Sequence, residues 1–200
     1  MKVWLLGCLA ALVVAGLLLF FWVQSTYNGI VVLEQDVTTK WAQVQNVYQR
    51  RADLVPNLVA TVKGYAAHER EVLEAVTESR SKAGSIRVTQ DMLNNPAEMA
   101  KFQQAQDSLG SALSRLMLVV ERYPDLKANQ NFLELQSQLE GTENRIAVER
   151  KRFNESAQAY NTRIKQFPAN MLAGFFNFKE KAYFEAAPGS EKAPVVDFSK

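Results

Sequence analysis

Apolar and polar positions follow two regimes along the chain. From Val3 to Val23 no residue carries a charge and nearly all are apolar (VWLLGCLAALVVAGLLLFFWV). Beyond Gln24, apolar residues recur every three or four positions among charged and amide side chains. The first regime predicts a membrane helix, because 21 residues at 1.5 Å of rise span roughly the 30 Å hydrocarbon core of a bilayer. Trp4 at one end and Phe20, Phe21 and Trp22 at the other sit where amphipathic rings favour the headgroup level. The second regime predicts long amphipathic helices, each with one stripe to bury against a partner.

Two other readings of the first stretch compete. A cleaved secretion signal has a shorter apolar region and small residues at the cut; here only Val23 and Ser25 resemble such a pair. The triplet LLG before Cys8 faintly resembles a lipid-attachment site, yet the apolar run continues for fifteen residues beyond it. The membrane anchor is therefore the reading adopted. Lys2 is the only basic side chain before it, whereas Glu34 and Asp36 follow it. These nearest flanks place the N-terminus inside and the rest outside, while Lys40, Arg50 and Arg51 pull the other way.

After the anchor, Val37, Trp41, Val44 and Tyr48 mark the first amphipathic helix. No Gly or Pro interrupts Gln24–Tyr27, so the anchor is expected to run directly into it. The segment RRADLVPN (Arg50–Asn57) reads as a turn, with Asp53 as N-cap and Pro56 as breaker. A single kinked helix is the alternative. A second helix is expected over about 54–82 with a stripe of Leu58, Val62, Tyr65, Val72 and Val76, and with His68 near its middle. Residues 83–95 read as a crossover loop. Asn95–Pro96 is a cap followed by proline at the first helical position. It opens a third helix carrying Met99, Phe102, Leu109, Leu113, Leu116 and Val120 and ending at Tyr123. The fourth runs from about Asn129 to Gln166, nearly 60 Å long at helical rise. Phe167–Pro168 stops it, and the aromatics of Met171–Phe184 are expected to cap the bundle end or rest on the membrane. The tail from Pro188 reads as mobile. The predicted architecture is all-α: a transmembrane anchor (1–26), an antiparallel four-helix bundle with long helices (27–187) and a flexible tail (188–200).

Charge narrows the functions. Lys plus Arg number 23 against 21 Asp plus Glu, so no basic face for nucleic acid is expected. The one cysteine, Cys8, lies in the membrane segment, and there is one histidine, His68. A disulfide, thiol chemistry, a histidine-based metal site or a catalytic triad is not expected. No phosphate loop, nucleophile elbow or zinc spacing occurs. Arg80, Thr142, Glu149 and Asn161 fall near inward positions, where paired polar groups could fix register. Arg51 with Asp53 and Arg152 with Glu149 are in reach as ion pairs.

Four stretches carry a family likeness: YNGIVVLEQDVTTKW (Tyr27–Trp41), RRADLVPNLVATVKGYAAHE (Arg50–Glu69), ERYPDLKANQNFLELQSQLEGTENRI (Glu121–Ile146) and RKRFNESAQAYNTRIKQFPANMLAGFF (Arg150–Phe176). Together they cover most of residues 27–176, and the chain resembles the LemA family of bacterial membrane proteins. The resemblance implies an N-terminal membrane helix, an antiparallel bundle, association with other membrane proteins including membrane proteases, and no catalytic residue. Matching positions include Arg51, Asn57, Asn154, Tyr160 and Asn161, the candidate interaction or register-setting residues. Asn154 and Asn161, seven apart on one face, form a polar ladder that could lock the fourth helix to a partner or receive a ligand.

The expected function is a single-pass scaffold or interaction module in a bacterial cell membrane, without catalysis or cofactor. Residues 3–23 contact the bilayer, and the bundle faces outward rather than into the cytoplasm. Membrane or envelope proteins are the expected partners, with self-association as a further option. Two alternatives stand beside it. One is a ligand sensor or enzyme with a polar pocket around Arg51, Asn154 and Asn161. The other is a lipid-contacting, membrane-shaping protein that uses Phe175 and Phe176.

Overall fold

A computed structural model describes residues 2–86 and 89–186. The expected mobile tail lies outside the described residues. The described chain is all-α. Its first helix, α1, runs without a break from Lys2 to Tyr65. It joins the apolar segment (mean hydropathy 2.6) to the packed part of the molecule, as expected from a junction without Gly or Pro. From Leu6 to Phe21 its side chains are exposed, and burial begins with half-buried Trp22 and Val23 and is complete at Thr26.

Arg50–Asn57 is not a turn. Pro56 lies inside α1, and Asp53 accepts a hydrogen bond from Gln49 Nε2 at 2.7 Å rather than capping a helix or pairing with Arg51. The reversal comes later, at residues 66–69, where Glu69 N–H bonds back to the Ala66 carbonyl. His68 is therefore an exposed turn residue, and Tyr65, expected in the buried stripe, is 46% exposed. The physical reason for the continuous helix is a neighbour. Proline cannot donate to the carbonyl four residues back, which is that of Ala52, and Arg80 Nε donates to it at 2.8 Å instead.

Helix α2 (Arg70–Ser85) returns along α1, and a 3₁₀ turn, Gln90–Asn94, leads to α3 (Pro96–Val120). The Asn95 side chain accepts from the N–H groups of Ala97 and Glu98, the expected cap. The third helix thus ends three residues before Tyr123, and a short α4 (Pro124–Lys127) occupies the predicted connection. Asn129 then caps α5 (Gln130–Lys165) by accepting from Phe132 N–H at 3.1 Å. Helix α5 runs antiparallel to α1: Arg51 meets Glu143, Tyr48 meets Arg150, and Asp36 meets Ser156.

A seven-residue α6 (Ala169–Phe175) follows and ends in a Schellman motif. Asn177 adopts a left-handed φ of 57°, Phe178 N–H bonds to Ala173 O, and Asn177 N–H to Gly174 O. Asparagine tolerates this conformation better than most residues with a Cβ. The motif reverses the chain, and residues 178–186 continue as a strap without regular secondary structure.

The buried side chains form two clusters. One, nearer the membrane segment, includes Val37, Trp41, Phe102, Phe153, Tyr160 and Phe184. The other, distal, includes Leu58, Val62, Val76, Leu113, Leu116 and Phe132. On α1 the inward residues Val37, Val44, Arg51 and Leu58 are seven apart, as are Trp41, Tyr48, Val55 and Val62. Arg51 thus occupies one position of an otherwise apolar heptad stripe, and it lies between the two clusters.

Candidate functional site

The strap has no sheet partner, so its backbone N–H and C=O groups must find acceptors and donors elsewhere. Side-chain amides supply them. Asn161 donates from Nδ2 to the Lys181 carbonyl at 2.8 Å and accepts the Lys181 N–H on Oδ1 at 2.8 Å. Asn154 pairs in the same two-bonded way with Phe184, at 2.9 Å each. From the opposite side, Gln103 of α3 pairs with Glu185, donating at 2.8 Å and accepting at 3.1 Å. Ala182 N–H completes the set with the Leu93 carbonyl at 2.7 Å.

The spacing explains why two asparagines suffice on α5. Seven helical residues rise about 10.5 Å, and three residues of extended chain advance about 10 Å. Asn154 and Asn161 are therefore in register with Phe184 and Lys181. The ladder read from sequence holds a segment of its own chain.

The strap's side chains are seated as firmly. Phe184 stacks on Trp41 at 5.9 Å between ring centroids and meets Phe153 edge-on at 5.5 Å. The Arg150 guanidinium lies 4.7 Å from its ring centroid and also donates to Tyr48 OH and Asp107. Lys181, only 8% exposed, reaches Glu34 at 2.7 Å and Asn94 at 2.9 Å, with its ammonium 5.1 Å from the Tyr160 ring centroid. The Tyr160 side chain is fully buried and its hydroxyl has no hydrogen-bond partner. Burial, and secondarily the Glu34 charge, push its phenol pKa above the ordinary value. The Tyr48 phenol is also raised, by burial outweighing the nearby Arg150 and Arg51 cations.

Arg51 lies in a separate layer. Its side chain is 3% exposed; Nη1 donates to Glu143 Oε1 at 3.0 Å, and Nη2 to the backbone and side-chain oxygens of Gln106 at 2.9 and 2.6 Å. The guanidinium is 5.1 Å from the Tyr48 ring centroid, while its Nε has no partner. One cation thus ties α1, α3 and α5 together where the two apolar clusters part. Gly110 leaves room beside it: a Cβ there would sit 3.7 Å from Nη1.

Sequence patterning missed Gln103, Gln106, Glu143 and Lys181. Gln103 and Gln106 share the buried face of α3 with Met99, Phe102 and Leu109, so amides inside an apolar stripe were the available signal. Asn57 is exposed on α1, where its carbonyl accepts from Thr61. Thr142 is buried and bonds back to the Gln138 carbonyl, and Arg152 pairs with Glu149 at 2.7 Å as expected. Phe175 and Phe176 are 81% and 43% exposed. An open groove of about 780 Å³ runs beside the strap, lined in part by Asn94, Gln103, Asp107, Lys179 and Tyr183.

Residues 40–198 match the model of the LemA family. The chain belongs to the LemA family. Among curated relatives, Magnetosome protein MamQ 2 of Paramagnetospirillum magneticum is 29% identical over 186 residues, covering 85% of this chain and 68% of that protein. Magnetosome protein MamQ of Magnetospirillum gryphiswaldense is similar to the same extent. Protein LemA of Metamycoplasma hominis is 26% identical over 160 residues, covering 80% of this chain and 69% of that one.

For a LemA-family chain, the matched region takes in the Arg51 layer, the amide clasp and α6, and begins after the apolar segment. Among the described residues, no group of three or more His, Cys, Asp and Glu is placed to hold a metal. Family membership and the one helix among the described residues that is long and apolar enough to cross a membrane agree with a single-pass membrane protein.

Proposed function

We propose that this LemA-family chain is a membrane-anchored scaffold, an antiparallel four-helix bundle of α1, α2, α3 and α5 held in a fixed pose outside the bilayer. The supporting observation is the unbroken α1. Its 64 residues give a rod of about 96 Å, of which roughly 60 Å extends beyond Val23 into the packed part. A bundle joined to its anchor without a hinge presents one surface at one height above the membrane, which suits an interaction module for membrane or envelope proteins. The charges nearest the anchor, Lys2 before it and Glu34 and Asp36 after it, favour an outward-facing bundle. In this reading Arg51, Asn154, Tyr160 and Asn161 set register inside the bundle, and Asn57 lies on its outer surface. A ligand-sensing pocket at Arg51, Asn154 and Asn161 fits less well, because these side chains are engaged by Glu143, Gln106 and the strap in two separate places.

The test is photo-crosslinking in membranes from exposed bundle positions such as Leu118 and Val148, followed by partner identification. A second form carries a Gly-Ser insertion between Gln24 and Ser25, which frees the pose while keeping anchor and bundle. Discrete membrane-protein adducts that weaken in the inserted form are expected. Absence of specific adducts from the uninserted chain would reject the scaffold reading.

A further inference from the structure

We infer that α6 is a second membrane contact, an apolar plate that lies in the bilayer interface beside the exit of the transmembrane helix. Met171 and Phe175, four residues apart on α6, share one face, and Phe167 stands two residues before the helix begins. Phe167, Met171 and Phe175 are 81%, 67% and 81% exposed, whereas Ala169 and Ala173 turn the opposite face of α6 into the protein. Side chains of this size in one exposed row form a surface that water does not favour.

The position of α6 says what covers that row. Burial along α1 starts at Trp22 and Val23 and is complete at Thr26, and the end of α6 meets α1 at the next residue, Tyr27. Phe176 meets the Tyr27 ring edge-on at 4.8 Å, and Phe178, just past the Schellman turn, lies 5.6 Å from it. Tyr27 is four residues beyond Val23, about 6 Å of helical rise, so α6 stands at the headgroup level that Phe20, Phe21 and Trp22 mark on the anchor. Aromatic and long apolar side chains partition into that zone. The exposed row is thus continuous with the lipid-contacting surface of α1. Helix α6 is carried by α5, which runs the length of the packed region, so a plate on the bilayer adds a second point of attachment and restrains rotation of the bundle about the α1 axis. This holds whichever protein the bundle engages.

The experiment uses the full chain reconstituted in phosphatidylethanolamine–phosphatidylglycerol vesicles. Cys8→Ala removes the one native thiol, and a bimane is attached at Phe175→Cys or, independently, at Met171→Cys. Leu118→Cys serves as reference: Leu118 is 71% exposed and lies near the end of α3 that meets the distal turn through Tyr123 and Glu69. Circular dichroism verifies that helicity is retained. At 171 and 175, quenching by lipids carrying a nitroxide near the headgroup is expected, together with loss of quenching by aqueous iodide. At 118 the pattern is expected to reverse. Iodide quenching at 171 and 175 equal to that at 118 would overturn the proposal. So would shielding from both quenchers, because a second copy or another protein would then cover the row.

Discussion

Arg80 Nε lies 2.8 Å from the carbonyl oxygen of Ala52, the acceptor that Pro56 leaves without its helical donor. A guanidinium from α2 replaces the missing backbone N–H, and α1 continues for nine residues past the proline.

This pairing makes a prediction that a solvent-exposed ion pair would not. Arg80→Met leaves the Ala52 carbonyl without its donor and is expected to cost about 1–2 kcal/mol. Pro56→Ala restores an N–H at the right place and removes a residue that disfavours helix interiors by about 3 kcal/mol, so by itself it should stabilise. In the Pro56→Ala background the Arg80→Met penalty should shrink toward zero. Denaturant unfolding of the four proteins of this cycle measures the coupling; equal Arg80→Met penalties in both backgrounds would contradict it.

Asn161 is expected to hold the strap locally. Asn161→Ala removes both partners of the Lys181 backbone, with an expected cost of about 1–3 kcal/mol. Amide exchange of Lys181 should accelerate strongly, while amides in the middle of α3 keep their protection. Asn161→Asp retains an acceptor for the Lys181 N–H but places an oxygen against the Lys181 carbonyl, so protection should be only partly restored. Unchanged exchange at Lys181 in Asn161→Ala would assign the hold to Phe184 and Ala182 instead.

The Tyr160 hydroxyl is buried without a partner, so Tyr160→Phe should be neutral or stabilising by up to about 1 kcal/mol. The phenol's folded pKa is raised above its ordinary 10.0. Below pH 10 both folded and unfolded chains keep the proton. As pH rises above 10, the unfolded chain releases it first, so the stability tied to the neutral phenol is lost toward the folded pKa. Tyr160→Phe should flatten part of this alkaline loss, and Tyr48, shifted in the same direction, should account for part of what remains. Urea midpoints of the two proteins between pH 8 and 11 check the sign; a steeper alkaline fall in Tyr160→Phe would refute it.

The helical elements were largely legible because their signals are local. The charge-free run, the three-and-four spacing of Val37, Trp41, Val44 and Tyr48, and the Asn95–Pro96 start each depend on a few neighbouring residues. The turn was misplaced for the opposite reason. Pro56 is a breaker by every local rule, and what overrides it comes from Arg80, 24 residues farther along the chain. The distal reversal at residues 66–69 has no proline to announce it. Asn154 and Asn161 were visible as a ladder by their spacing of seven, but their partner was not, since the strap carries little periodicity of its own.

Composition and periodicity are enough to determine an all-α chain with one membrane-length segment continuous with its first amphipathic helix, because hydrophobic burial and helical rise act through near neighbours. Tertiary packing decided three things beyond that. It kept α1 intact through Pro56, it brought Arg51, Gln106 and Glu143 into one layer from three helices, and it folded residues 178–186 back into a clasp of side-chain amides. Each depends on a hydrogen bond or ion pair between groups far apart in the chain, and such partners exist only once the helices are packed.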